Sequence, residues 1–176
     1  MMSSSRNFQI AVVGAGPAGF FAVDALCKKV PDTTVSLYEK WPVPYGLVRY
    51  GVAPDHPEIK RVSRQFDKIA AWPGFRFFGN VTVGRDVPIQ DLQSCHHAVI
   101  LCTGAPASRT LGIPGETLPG SVTAESVVGW YNGHPAGFEE GPPLDTETAL
   151  LVGHGNVAVD IARILVAPPG FFSKTD

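Results

Sequence analysis

The 176-residue sequence predicts an α/β fold with a largely parallel central sheet, and three observations carry that prediction. Short apolar, β-branched runs stop abruptly at glycine, Phe8 to Val13 before Gly14 and Ala149 to Val152 before Gly153. Each run is followed by a segment with apolar residues at helical spacing, Ala18 to Val30 and Val157 to Leu165, halted by Pro31 and by Pro168-Pro169. Further strand and helix patterns alternate between these two units. Such alternation favours parallel pairing, because a helix crossover returns the chain to start the next strand in the same direction.

Along the chain, Val35 to Tyr38 reads as the second strand. From Lys40 to Pro57 six residues are proline or glycine, which predicts an ordered but irregular excursion, and a loop of that length in a compact domain usually has a function. Helical periodicity covers Glu58 to about Ala71, then Phe75 to Phe78 and Val81 to Val83 read as strands separated by the turn pair Gly79-Asn80. His97 to Leu101 is an apolar strand running to Thr103-Gly104. Thr123 is placed to cap a helix through Tyr131, and Gly133 to Pro143 has the composition of a surface linker. A domain boundary is expected there, with residues 1–145 in a first domain and 146–176 opening a second.

Composition excludes several function classes. An apolar content of 44% supports a core without a metal or disulfide staple. A formal charge of −2, with scattered Lys and Arg, gives no electrostatic footprint for nucleic acid. Cys27, Cys95 and Cys102 are odd in number and lack C-x-x-C spacing, which argues against a disulfide framework and fits a reducing compartment. Cys102 is expected to be a small buried apolar residue. His96, His97, His134 and His154 have no metal-like spacing with acids or thiols. No apolar run approaches the roughly 20 residues of a membrane span, and the few residues before Phe8 show no transit peptide.

The first glycine cluster carries the strongest chemical signal. Gly14-Ala15-Gly16-Pro17-Ala18-Gly19 has G-x-G-x-x-G spacing between a predicted strand and helix, and Glu39 follows twenty residues after its last glycine. Gly14 permits a tight turn, Gly16 lets backbone N–H groups approach a pyrophosphate, and Gly19 allows helix to pack on strand. Glu39, with Lys40 beside it, ends the second strand, where a carboxylate can accept a hydrogen bond from a ribose hydroxyl. It would repel a 2′-phosphate, so this Rossmann-like site is expected to take FAD or NAD rather than NADP. A bare glycine turn with a solvated Glu is the bland alternative, and the strand, helix and acid in register weigh against it. Gly153-His154-Gly155-Asn156-Val157-Ala158 repeats the pattern as G-x-G-x-x-A. Alone it is only suggestive; two such turns about 140 residues apart suit a flavin enzyme fed by a nicotinamide.

Longer blocks carry a family resemblance. The run from Pro44 to Pro57 (PYGLVRYGVAPDHP), Gly129-Trp130-Tyr131-Asn132-Gly133, and Gly155 to Arg163 (GNVAVDIAR) closely resemble adrenodoxin reductase, the mitochondrial-type ferredoxin-NADP reductase family. The resemblance covers the chain from Phe8 onward and is far more specific than a shared glycine fingerprint. It implies a glutathione-reductase-like architecture, an FAD domain interrupted by an inserted NADP domain. The chain would then hold most of the FAD domain and the opening of the NADP domain, with the residues that recognise the 2′-phosphate beyond Asp176.

Residue by residue, the resemblance implies FAD contacts at Gly14, Gly16, Pro17, Ala18, Gly19, Glu39 and Lys40, at Gly46 and Leu47 in the Pro-rich loop, at Val83, and at Thr103-Gly104. It implies NADP contacts at Gly153, His154, Gly155, Asn156 and Val157, and a proton-handling pair at His56 and Asp160, in which a buried carboxylate would favour the imidazolium. The implied activity takes electrons from NADPH through FAD to a ferredoxin- or adrenodoxin-type iron-sulfur protein. The implied compartment is the mitochondrion, with the cytoplasm as alternative. An NADPH-oxidising subunit of glutamate-synthase type shares both glycine turns, and a non-catalytic FAD-binding module is a reading from another class; the Pro44 to Pro57 block favours ferredoxin reductase over both.

Overall fold

The computed structural model describes residues 7–105, 108–137, 141–168 and 170–172. The lead before Asn7, residues 138–140 of the expected linker and Pro169 lie outside the described residues. By packing, the chain divides into two compact units, Met1–Arg49 with Glu58–Gly104, and Tyr50–Pro57 with Ala105–Asp176.

The first unit is built on a four-stranded sheet of β1 (Phe8–Val13), β2 (Thr33–Tyr38), β3 (Phe75–Phe78) and β4 (Ala98–Leu101), in the order β3-β2-β1-β4 with every pair parallel. The alternation of strand side chains gives β1 two buried faces. Val12 points into a cluster with Phe20, Val23, Val35, Leu37, Phe66 and Ile69, beneath α1 (Pro17–Lys29) and α4 (Ser63–Ala70). Ala11 and Val13 point the other way, onto Leu92 of α5 (Ile89–Cys95), with Val83, Val87 and Val99 beside them. Phe20 stacks on Phe66 with ring centroids 4.8 Å apart and meets Tyr45 edge-on at 5.2 Å.

Register aligns the carboxyl ends of the strands. Val13 lies opposite Tyr38 and opposite Leu101, and Tyr38 opposite Phe78. The chain leaves β1 toward β2 on one side, while β4 joins β1 on the other, so the order reverses between β1 and β4. Open α/β sheets bind ligands at the carboxyl edge of such a reversal.

Four sequence expectations need correction. Val81 to Val83 is not a strand; Val83 makes only an isolated bridge with Val87, because Arg85 N–H and Asp86 N–H both bond back to the Thr82 carbonyl and turn the chain. The helix expected over Glu58 to Ala71 is two, α3 (Pro57–Lys60) and α4, joined by i to i−3 bonds at Arg61 and Val62. None of the α3 side chains is buried, so packing does not draw it into line with α4. A short helix, α2 (Leu47–Tyr50), interrupts the Pro-rich loop. Ala149 to Val152 has the composition of a strand but no strand conformation, and with Leu150 90% exposed it has no neighbouring strand with which to form a ladder. The helix α5 had no sequence signal, since one buried residue, Leu92, sets no periodicity.

In the second unit, α6 (Ala124–Tyr131) and α7 (Asn156–Val166) pack through Val127, Val128 and Ile161, with Tyr131 and Leu151 alongside. The Thr123 hydroxyl accepts from Ser126 N–H at 3.1 Å, the capping contact expected from the sequence.

Candidate dinucleotide-binding site

Three neighbouring chain segments meet at the carboxyl edge of the sheet. Gly14 N–H donates to the Tyr38 carbonyl at 2.8 Å, Glu39 N–H to Phe78 at 2.9 Å, and Cys102 N–H to Val13 at 2.7 Å. The ladder therefore sets the Gly14 turn between Glu39 and the Cys102-Thr103-Gly104 segment. Gly14 has φ +106, and a Cβ there would fall 2.2 Å from the Cys102 carbonyl oxygen. A Cβ on Gly19 would fall 2.0 Å from the Gly14 carbonyl oxygen. Both glycines are required by close approach within the fold.

Gly16 is different. Its φ of −79 and ψ of −174 suit any residue, and a Cβ would meet nothing within 4 Å. It is the N-cap of α1 with no capping side chain, and Pro17 fills the first turn without needing a partner for an N–H. Open space in front of uncapped helix donors is the geometry that admits a pyrophosphate, so the residues present fit a dinucleotide.

Glu39 is buried, 8% exposed, and its carboxylate is held on both oxygens. One accepts from Ala15 N–H at 2.8 Å and the other from Trp41 N–H at 3.1 Å. Each oxygen retains a second lone pair for a ligand hydroxyl. The acid thus fastens the glycine turn to the end of β2. Lys40, exposed next to it, lies over the Trp41 ring at 4.9 Å.

The Pro-rich loop is pinned to the same turn. Tyr45 N–H donates to the Ala15 carbonyl at 2.8 Å, and Gly46, at φ +48, lies so close to Gly16 that a Cβ would sit 3.0 Å from its Cα. Tyr45 itself takes φ 92 and donates its hydroxyl to Asp67. Burial, then the Asp67 hydrogen bond, pushes this phenol up to about 12. The role of Tyr45 was not legible in the sequence beyond its place between Pro44 and Gly46. Leu47 is 73% exposed, Ala18, Thr103 and Gly104 are exposed, and Val83 is half-buried against the Ala11 and Val13 face. Burial pushes the Cys102 thiol up, as for a residue packed among apolar neighbours.

In the second unit, Gly153 (φ +131), His154 and Gly155 lead into α7, whose first residues are Asn156 and Val157. Gly155 repeats the features of Gly16: an N-cap with φ −75 and ψ 173, no capping side chain and nothing within 4 Å of a Cβ. One turn further on, His56 Nε2 lies 3.1 Å from Asp160 Oδ1. The two residues singled out in the sequence are therefore brought together. Their side chains are 39% and 25% exposed, so the carboxylate is not buried as expected and solvent screens the pair.

Two further residues complete this cluster. Arg163, three residues after Asp160 on α7, bonds Asp55 through both terminal nitrogens and reaches Asp160 Oδ1 at 3.0 Å. Its hydrogen bond holds the Asp55 carboxyl below the ordinary carboxylate value. The i, i+3 spacing of Asp160 and Arg163 was the available sequence signal. Tyr131 of α6 faces the same charges; burial, then the Asp160 carboxylate, pushes its phenol up to about 12.

Parallel sheet, order reversal and glycine turn define a Rossmann-type dinucleotide-binding α/β chain. No protein-family model matches it. The chain is 52% identical over 168 residues to bovine mitochondrial NADPH:adrenodoxin oxidoreductase, covering 96% of this chain and 34% of that protein. It is 49% identical over 176 residues to the NADPH-ferredoxin reductase FprA of Mycobacterium tuberculosis, covering 97% of this chain and 39% of that one. A solved structure of that FprA matches with a TM-score of 0.92 at 50% identity, over 97% of this chain and 39% of that chain. The chain thus matches adrenodoxin reductase and FprA over nearly all of its length, as the Pro44 to Pro57 block indicates, and spans between a third and two-fifths of these relatives' length.

Proposed function

We propose that this chain carries most of the FAD site and the opening of the NADP site of a flavoprotein reductase, one that passes electrons from NADPH through FAD to a ferredoxin- or adrenodoxin-type iron-sulfur protein. In the proposed division, residues 1–145 belong to the FAD domain and 146–176 begin the NADP domain. The observation that carries the reading is the buried Glu39 carboxylate bonded to Ala15 N–H beside an open Gly16. That places an acid for a ribose and free helix donors for a pyrophosphate at one edge of the sheet.

When bound, FAD supplies the conversion between a two-electron donor and a one-electron acceptor. The chain's own residues bind and orient. Backbone donors at Gly16, Pro17 and Ala18 face the space a pyrophosphate needs, except that Pro17 has no N–H and leaves that volume to its neighbours. Glu39 excludes a 2′-phosphate from the first site by charge. Gly14, Gly19, Gly46 and Leu47, with Thr103-Gly104 and Val83, shape its walls, and Lys40 flanks the acid. Gly153 to Val157 present the second set of helix donors to NADP. His56 holds a proton at Nε2 against Asp160 Oδ1, the pair we assign to proton handling.

The relatives' names support this reading, since they specify NADPH, adrenodoxin and ferredoxin. A mitochondrial location follows the bovine relative and a cytoplasmic one is the alternative. Among the described residues no helix is long and apolar enough to cross a membrane. The test is anaerobic mixing of the full-length gene product with NADPH, followed by a ferredoxin-type acceptor. Bleaching of the flavin and one-electron reduction of the acceptor are expected. Bleaching without transfer to the acceptor would favour a glutamate-synthase-type subunit, and no bleaching a non-catalytic module.

A further inference from the structure

We infer that Arg163 is a positioning residue that sets which nitrogen of His56 carries the proton in the neutral ring. The inference rests on the assignment of His56 and Asp160 to proton handling.

One guanidinium nitrogen, Arg163 Nη2, lies 3.0 Å from Asp55 Oδ1, 3.0 Å from Asp160 Oδ1 and 3.2 Å from His56 Nε2. It has two hydrogens for three acceptors. His56 Nε2 lies 3.1 Å from Asp160 Oδ1 as well. Two hydrogen-bond patterns satisfy these distances. With Nε2 protonated, the ring donates to Asp160, and Nη2 gives its hydrogens to Asp55 and Asp160. With Nε2 unprotonated, Nη2 can donate to the ring nitrogen instead. Arg163 therefore offers Nε2 a hydrogen bond whenever the ring's own proton is absent, and the imidazole has a partner at the same place in both states.

Arginine suits this task because it stays charged and donates in a planar fork. Asp55 anchors the fork through both terminal nitrogens and leaves Nη2 poised between Asp160 and the ring. The charged and titratable groups around His56 are Asp55 on its own loop, Asp160 and Arg163 on α7, and Tyr131 on α6, whose phenol stays neutral to about 12. Only Arg163 among them is a permanent donor. With it removed, the two carboxylates would leave Asp160 demanding a donor, and the neutral ring would keep its hydrogen on Nε2.

The test is 15N NMR of the full-length flavoprotein labelled in histidine, with the His56 resonances assigned by His56→Gln, recorded where the ring is neutral. Wild type is expected to show an unprotonated, pyridine-like Nε2. Arg163→Met, which has neither charge nor donor, is expected to switch to the Nε2–H form, and Arg163→Lys to retain the wild-type form. An Nε2–H ring in wild type, or no change in Arg163→Met, would overturn the inference. If Arg163→Met fails to fold, Asp55→Asn supplies the second variant: by freeing the fork it is expected to blur the tautomer into a mixture, and an unchanged single form would contradict the anchoring. NADPH bleaching measured on the same wild-type sample separates the two readings, because the tautomer pattern does not depend on turnover.

Discussion

Gly46 rests directly on Gly16: the Pro-rich loop crosses the glycine turn so closely that a Cβ on Gly46 would lie 3.0 Å from the Gly16 Cα. The Tyr45 N–H to Ala15 carbonyl bond fixes that crossing. Two segments more than twenty residues apart thus form one wall of the proposed flavin site.

Gly46→Ala should therefore act on stability and on flavin together. The residue has φ +48, where a Cβ is strained, and the added methyl must push the turn. The combined cost is roughly 1 to 3 kcal/mol. Urea unfolding should show a lower midpoint with an unchanged slope, and purified protein should carry less flavin per chain.

Glu39 variants should separate anchoring from ligand binding. Glu39→Ala leaves Ala15 N–H and Trp41 N–H without their acceptor, at about 1 to 3 kcal/mol for each that water cannot reach, and removes the ribose contact. Glu39→Gln keeps one acceptor oxygen and should retain more stability than Ala while still losing flavin. Flavin content and melting temperature, measured side by side, check this; full flavin in both variants would refute the assignment.

The Asp55–Arg163 pair gives an acid-side signature. Its folded-state carboxyl is held below the unfolded value of 3.8, chiefly by the Arg163 hydrogen bond. A lowered acid stabilises fully above the unfolded value, and its contribution falls away as pH drops below 3.8 through the folded value. The melting-temperature gap between wild type and Asp55→Asn should be constant above about pH 5 and close as pH falls below that range.

Tyr45 predicts the opposite limb. Its phenol is raised from 10 to about 12 by burial and by Asp67, so its contribution is complete below pH 10 and is lost as pH rises toward 12. Tyr45→Phe should cost about 1 kcal/mol near neutrality and flatten the loss of stability above pH 10. Circular-dichroism melts across that range decide it.

Sequence and structure agree where several signals coincide. Phe8 to Val13, Gly14 to Gly19 and Glu39 were legible because strand pattern, glycine spacing and acid all require one geometry. The Thr123 cap was legible from a single local bond. Ala149 to Val152 and Val81 to Val83 carry strand-like residues, yet a strand also needs a neighbour, which composition does not encode. Helix α5 was hidden because one buried Leu92 makes no pattern. Arg163 and Asp55 were missed because their pairing joins positions 108 residues apart.

The central claim, that each glycine turn receives one dinucleotide, is tested most directly by valine at the two open N-cap glycines. Nothing lies within 4 Å of a Cβ at Gly16 or Gly155, and both have backbone angles any residue accepts, so the fold should tolerate each change while the ligand space is filled. In flavin-fluorescence titrations and NADPH binding measured on the full-length protein, Gly16→Val should lose FAD at an unchanged melting temperature of the flavin-free form. Gly155→Val should keep FAD and lose NADPH. Wild-type FAD affinity in Gly16→Val would contradict the account.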